Sequence, residues 1–137
     1  MSNRIKNIVC CLVSLMVGLM MYILFRPTSI IAKPFAQCDW IAQLCTYLHP
    51  YAGELMRFHI PDFLWAFALS CGLQGVFVIS KTVEILSCAL TAFACGVIWE
   101  ILQYAGVVSG TADWLDILMY FLAVFASILI NLKERMK

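Results

Sequence analysis

The chain has 137 residues, of which 64% are hydrophobic and 12% charged, with a formal net charge of +1 and a mean hydropathy of +0.93. Soluble domains average about 25% charged residues, so this composition excludes a soluble globular domain and a disordered chain, and it predicts a surface covered by lipid. The nearly neutral charge provides no basic surface for nucleic acid, so none is predicted as a partner.

Four apolar stretches predict four membrane-spanning helices, because about 20 apolar residues cross a hydrocarbon core of about 30 Å. They cover residues 7–25, 62–80, 82–104 and 114–132 of a single transmembrane domain, 1–137. The first stretch ends before Pro27, which cannot continue a helix, and its length favours a retained span over a cleaved signal peptide. The predicted fold class is an all-α integral membrane bundle of four transmembrane helices.

The long connection, residues 26–61, also contains a predicted helix. Its apolar residues recur at helical spacing, at Ile41, Leu44, Cys45 and Leu48. Aromatic side chains suited to the depth of lipid headgroups lie beside them, so we predict a short interfacial helix on the outer leaflet. A cap that packs over the end of the bundle without a ligand is the alternative.

The basic residues predict the orientation. With the N-terminus inside, six of the nine Lys and Arg residues lie on the inner side, and Arg26, Lys33 and Arg57 lie outside. Because basic residues collect in cytoplasmic loops, we expect both termini to be cytoplasmic.

Polar residues of three predicted spans then converge on the outer end of the bundle. The ligand-binding candidates are Trp99 and Gln103 of the third span, Trp114 of the fourth, and His59, Asp62 and Trp65 at the start of the second. The catalytic candidates are Glu100, Asp113 and Asp116. An ionisable side chain at membrane depth usually faces a bundle interior or a wet cavity, and grouped carboxylates can support acid/base chemistry.

Helix capping is an alternative explanation for two of these acids. Asp113 can cap the start of the fourth span, and Asp62 lies in the first turn of the second, where the helix dipole favours an anion. Glu100 lies near the C-terminal end of the third span, where the dipole disfavours an anion, so capping does not explain it. No cofactor is predicted, and no metal site, because the cysteines and the two histidines lack ligand spacing.

The seven cysteines allow a further function, a membrane thiol oxidoreductase. Cys38 and Cys45 lie in the predicted outer segment, where disulfides can form. If this segment is helical, they are about 10.5 Å apart along the axis, whereas a disulfide needs Cα atoms within about 7 Å. The other five lie within predicted spans and are interpreted as small packing residues.

Two runs resemble the VanZ-like family of small membrane proteins. They are Trp99-Glu-Ile-Leu-Gln103 and, after a turn, Ser109-Gly-Thr-Ala-Asp-Trp-Leu-Asp-Ile-Leu118. The segment from His59 to Trp65 is also similar to a segment of that family. The chain resembles a divergent member, with Tyr120 and Ala66 where the family has Asn and His.

This resemblance implies a bacterial cytoplasmic-membrane protein of the cell envelope, with a role in antibiotic resistance, namely tolerance of the glycopeptide teicoplanin. The leading hypothesis is an outer mouth that binds or modifies a polar lipid headgroup or a lipid-linked envelope component. The alternative is a non-catalytic membrane scaffold or small transporter subunit, in which the same groups hold helices together. Catalysis and homo-oligomerisation both stay open at this point.

Overall fold

The computed structural model describes residues 3–26, 33–51, 53–77 and 81–135, and all regular structure in these ranges is helical. The α-helices are α1 (Asn3–Phe25), α2 (Lys33–Ala36), α3 (Asp39–Leu48), α4 (Ile60–Val76), α5 (Thr82–Tyr104) and α6 (Trp114–Arg135). A 3-10 turn, His49–Tyr51, and a π-helix, Leu55–His59, connect α3 to α4. Three helices, α1, α5 and α6, are long and apolar enough to cross a membrane. The all-helical prediction is confirmed for the described residues.

The second predicted span, 62–80, differs most from the structure. The helix starts earlier, at Ile60, and ends at Val76, after which Phe77 has an extended backbone with φ −75° and ψ 147°. Residues 78–80 lie outside the described residues. At this end Arg4 of α1 satisfies a carbonyl that the helix leaves open, because its Nε donates to the carbonyl of Gly75 at 2.9 Å.

The central helix of the bundle is α4, which packs against α1, α5 and α6. Glycines allow two of the close helix approaches. A Cβ added at Gly75 of α4 would lie 2.8 Å from Cγ1 of Ile8 in α1, and one at Gly96 of α5 would lie 2.6 Å from the ring of Tyr120 in α6. Small residues at such contacts are typical of helices that associate in lipid.

Successive long helices run antiparallel, and α1, α4 and α6 share a polar network at one end of the bundle. Asn131 Nδ2 donates to Gln74 Oε1 at 2.5 Å and to Asn7 Oδ1 at 3.2 Å. Gln74 Nε2 donates to Ser70 Oγ at 3.1 Å, and the hydroxyls of Ser70 and Ser127 are 2.6 Å apart. We call these five buried residues the amide cluster.

Large apolar side chains cover the outside of the bundle, and small ones fill its interior. Met16 and Leu90 are each 66% exposed, whereas Ala68 and Ala92 are 1% exposed. A soluble protein would bury the large side chains, so this distribution suits a membrane protein whose helices face lipid.

A helix in the 26–61 connection is confirmed as α3. Its buried residue is Ile41, and the helix packs against α1. The Cys45 thiol donates to the carbonyl of Ile23 at 3.4 Å, and Trp40 and Tyr47 are both exposed. α3 therefore lies beside the end of α1 that points away from the amide cluster.

Candidate functional site

A polar cavity of about 710 Å³ lies at the end of the bundle opposite the amide cluster. We call it the mouth cavity. The ends of α1 and α5, the starts of α4 and α6, and the α5–α6 turn all contribute to its wall. Seven of the nine predicted site residues line it, namely His59, Asp62, Trp99, Glu100, Gln103, Asp113 and Asp116. The structure thus brings together every acid that the sequence singled out.

Trp65 and Trp114 were predicted as apolar walls of this site, but neither is among the lining residues. Trp65 is 44% exposed and Trp114 is 85% exposed on the outer surface. Each residue of an α-helix is rotated by about 100° from the one before it. Because the next residue, Ala66, takes the buried face of α4, Trp65 lies on the outside.

His59 and Asp116 form the shortest polar contact of the mouth cavity. His59 Nδ1 lies 2.6 Å from Asp116 Oδ1 and links the start of α4 to the first turn of α6. An ionised carboxylate can only accept, so Nδ1 carries the proton of this bond. The other ring nitrogen, Nε2, lies 4.0 Å from Asp113 Oδ2. Asp116 therefore fixes the orientation of the imidazole and leaves Nε2 available to the cavity.

Glu100 is 4% exposed, and both of its carboxylate oxygens accept hydrogen bonds from α6 or its N-terminus. The Tyr120 hydroxyl donates to Oε1 at 2.9 Å, and the backbone N–H of Asp113 donates to Oε2 at 3.1 Å. Two donors offset the cost of burying this carboxylate. Glu100 thus joins α5 to α6 and holds the start of α6 at the cavity wall.

Asp113 caps α6, as the capping alternative predicted. Its Oδ1 accepts the backbone N–H of Leu115 at 3.0 Å, the geometry of an N-cap side chain. Its Oδ2 remains on the side of the cavity, 4.0 Å from the His59 ring. Capping and a position in the cavity wall are therefore compatible in this residue.

Asp62 and Gln103 line the cavity without a hydrogen-bond partner among the described residues. Asp62 lies in the first turn of α4, but its carboxylate accepts no backbone N–H there. The Gln103 amide packs against Gly110, where an added Cβ would lie 2.4 Å from Nε2. The φ of Gly110 is +143°, which favours glycine, so the turn can approach the amide closely.

Arg26 is a wall residue that the sequence reasoning did not identify. Pro61 has no N–H to donate to the carbonyl of Arg57, four residues earlier, and Arg26 Nε donates to that carbonyl instead at 3.1 Å. Arg26 Nη2 donates to the Phe58 carbonyl at 3.2 Å, and the guanidinium lies over the Phe58 ring, 5.1 Å from its centroid. The signal available in the sequence was an arginine at the end of a span together with a proline at the start of the next.

Tyr120 was also missed as a site residue. It lies one helical turn after Asp116, and its buried ring occupies the space that Gly96 leaves open. A tyrosine four residues after a candidate acid shares its helix face, which was the signal available. Tyr120 positions Glu100 rather than lining the cavity.

Comparisons with protein-family models, with curated proteins and with solved structures found no match to this chain.

The arrangement supports binding and proton exchange. The cavity size falls in the range of about 300–1,000 Å³ that is usual for small-molecule sites. Its wall combines aromatic rings, an imidazole oriented by a carboxylate, and the Asp62 carboxyl group, which has no hydrogen-bond partner among the described residues. A neutral imidazole held in this way can accept a proton at Nε2 and return it, which is the requirement for a general acid/base group.

Proposed function

We propose that this chain is a VanZ-like membrane protein of the bacterial cytoplasmic membrane whose mouth cavity binds or modifies a polar lipid headgroup or a lipid-linked envelope component. The supporting observation is the convergence of seven predicted site residues on one cavity. In this proposal a role in glycopeptide tolerance follows from the resemblance of residues 57–120 to that family.

The proposal includes four spans, with α4 as the second. α4 has 17 residues, and the π-helix Leu55–His59 runs directly into it, which lengthens the helical segment across the bundle. The distribution of basic residues supports cytoplasmic termini and an outward mouth cavity, with α3 at the outer interface. In intact cells a membrane-impermeant maleimide should then label Cys38, which is exposed, and should not label it from the cytoplasmic side of inverted vesicles.

In this proposal Asp116 and His59 are the proton-exchanging pair, Asp113 and Asp62 face the ligand, and Trp99 forms the aromatic wall. Glu100 acts through the others, because both of its oxygens are occupied by donors from α6 or its N-terminus. Gln103 adds an amide that can either donate to or accept from the ligand.

The test is the lipid retained by the purified full chain, measured by mass spectrometry of lipid extracts. Asp116→Asn keeps an oxygen that can accept from His59 but removes the negative charge. We expect this variant to lose most of the retained lipid while its melting temperature in detergent stays within about 3 °C, since a shift of this size corresponds to less than about 1 kcal/mol. Asp39→Asn, an exposed acid on α3, is the matched control and should retain lipid fully. Unchanged retention in Asp116→Asn would contradict the proposal.

The scaffold alternative is favoured by one observation, the complete use of Glu100 in helix packing. In Glu100→Gln the side chain has one acceptor oxygen instead of two. Either the Tyr120 hydroxyl or the Asp113 N–H therefore loses its partner. An unpaired buried donor costs about 1–3 kcal/mol. If the protein is only a scaffold, this variant should melt lower while neither it nor Asp116→Asn changes the retained lipid.

A further inference from the structure

The mouth cavity contains carboxyl oxygens that accept no hydrogen bond from the described residues. The Asp62 carboxylate has no hydrogen-bond partner among the described residues, and Asp113 Oδ2 accepts none, because only Oδ1 is used in capping. Ionised carboxylates present acceptors alone. In that ionised form, a ligand that satisfies these oxygens must supply hydrogen-bond donors.

His59 adds an independent acceptor. Its side chain is 11% exposed, and it lines the cavity. When the ring is neutral and Nδ1 donates to Asp116, Nε2 carries the lone pair; this nitrogen has no hydrogen bond among the described residues and lies 4.0 Å from Asp113 Oδ2. This nitrogen can therefore accept a hydrogen bond from a donor that enters the cavity.

The nearby cation does not neutralise these acceptors. Arg26 donates through its three nitrogens to the carbonyls of Arg57 and Phe58 and to the hydroxyl of Tyr22. These bonds direct the guanidinium toward the backbone ahead of α4 and toward two aromatic rings. Asp62 and Asp113 therefore lack an ion pair with arginine, and the free part of the cavity favours positive charge.

The side-chain arrangement distinguishes an organic cation from a metal ion. Within the described part of the chain, no three His, Cys, Asp or Glu side chains come together in a way that could hold a metal ion. Trp99 lines the same cavity, and the face of a tryptophan ring attracts cations. Separate acceptor atoms beside an aromatic ring suit a primary ammonium group, because this group carries three N–H donors and one positive charge.

We propose that the mouth cavity binds the primary ammonium group of a polar headgroup, with the ammonium held between Asp62, Asp113 and His59 Nε2 and against Trp99. This inference rests on the proposed function and names the chemical class of its ligand. It requires both the charge and the N–H donors of the ligand.

The experiment uses Trp99 as its reporter. A full-length variant in which the other three tryptophans, Trp40, Trp65 and Trp114, are replaced by Phe leaves Trp99 as the sole source of indole fluorescence. It is reconstituted in phosphatidylglycerol nanodiscs with increasing fractions of phosphatidylethanolamine or phosphatidylcholine. We expect phosphatidylethanolamine to shift the Trp99 emission with a midpoint at least tenfold lower than phosphatidylcholine, which has the charge but no N–H donors. A variant that retains only Trp114 should show no shift.

Asp62→Asn should raise the phosphatidylethanolamine midpoint at least tenfold, Asp62→Glu should restore part of it, and Asp39→Asn should leave it unchanged. Circular dichroism and size-exclusion chromatography select variants that are folded. A shift with O-phosphoethanolamine added in water would support the same ammonium chemistry with a soluble source, whereas a shift that needs the lipid assigns the source to the membrane.

Two outcomes separate the failure of this inference from the failure of the proposed function. If titration of phosphatidylglycerol into phosphatidylcholine nanodiscs gives the same midpoint as phosphatidylethanolamine, the cavity still binds a headgroup but the ammonium inference is overturned. If neither these lipids nor a total lipid extract of bacterial envelope shifts the Trp99 emission, both are overturned.

Discussion

The two polar regions of this bundle, the amide cluster and the mouth cavity, have opposite hydrogen-bond balances. In the amide cluster, buried amides and hydroxyls from α1, α4 and α6 satisfy one another, and every group is neutral. The wall of the mouth cavity includes ionisable side chains, and Asp62, Gln103 and His59 Nε2 have no hydrogen-bond partner among the described residues. A closed network stabilises helix contacts, whereas an open one has binding capacity left for a ligand.

This contrast shows that polarity inside a membrane bundle is not by itself a sign of function. Gln74 is 2% exposed, yet its amide is fully used by Ser70 and Asn131, whereas Asp62 of the mouth cavity has no hydrogen-bond partner among the described residues. The useful criterion is whether donors and acceptors balance within the protein. By that criterion the mouth cavity alone, of these two regions, is a candidate site.

The largest stability effect is expected from Asn131→Leu. This change removes the residue that bonds to both Asn7 and Gln74, and each loses a buried partner. Unpaired buried polar groups cost about 1–3 kcal/mol each, so the free energy of unfolding in detergent should fall by about 2–4 kcal/mol. The folded fraction should retain lipid like the wild type. Loss of lipid without loss of stability would contradict the distinction between a structural amide cluster and a ligand-binding mouth cavity.

A smaller effect on stability is expected from Gly96→Ala, which tests whether Tyr120 positions the mouth cavity. The added Cβ would lie 2.6 Å from the Tyr120 ring, so the ring must move and its hydroxyl must leave Glu100. Overpacking of this kind costs about 1–3 kcal/mol, and we expect the lower half of that range, with reduced lipid retention. Gly53→Ala meets no atom within 4 Å and is the control for thermal unfolding. Equal melting of the two variants would show that Tyr120 does not position the site.

The smallest stability effect is expected from Gly110→Ala, which probes the turn at the cavity wall. Its φ of +143° strains any other residue, and its Cβ would collide with the Gln103 amide. Gly106→Ala shares the positive φ, at +72°, but meets open space. Backbone strain should lower the free energy of unfolding of each variant by about 1 kcal/mol. Only Gly110→Ala should also weaken headgroup binding. Equal binding in both would remove Gln103 from the site.

Most of the fold could be predicted from the sequence because apolar length and periodicity determine membrane helices. The predicted boundaries of α5, 82–104, agree with Thr82–Tyr104, since Lys81 and the glycine at 106 mark its ends. The C-terminal boundary of α4 could not be predicted. The last carbonyls of this helix accept hydrogen bonds from Arg4, which lies more than 70 residues away in the chain, and local sequence does not reveal such a partner.

The acids of the site could be predicted, but their roles could not. Rarity of charge in an apolar chain identified Glu100 and Asp116, whereas only the structure shows that Glu100 is occupied and Asp116 orients His59. Tryptophan was less informative, since Trp99 lines the cavity and Trp114 does not. Which helix face a bulky ring takes depends on the neighbouring helices, and a single sequence does not contain that information.

Arg26, directly after α1, and Pro61 of α4 act together. Pro61 has no N–H to donate to the Arg57 carbonyl, and the guanidinium of Arg26 donates to it instead. Their effects should therefore be epistatic. Loss of Arg26 leaves the Arg57 carbonyl unpaired only while residue 61 lacks an N–H, so Pro61→Ala should suppress Arg26→Ala. A chain that acquired an amide proton at position 61 would leave Arg26 with the Phe58 carbonyl and the Tyr22 hydroxyl as partners, and its Nε–H would then become available to the acidic mouth cavity.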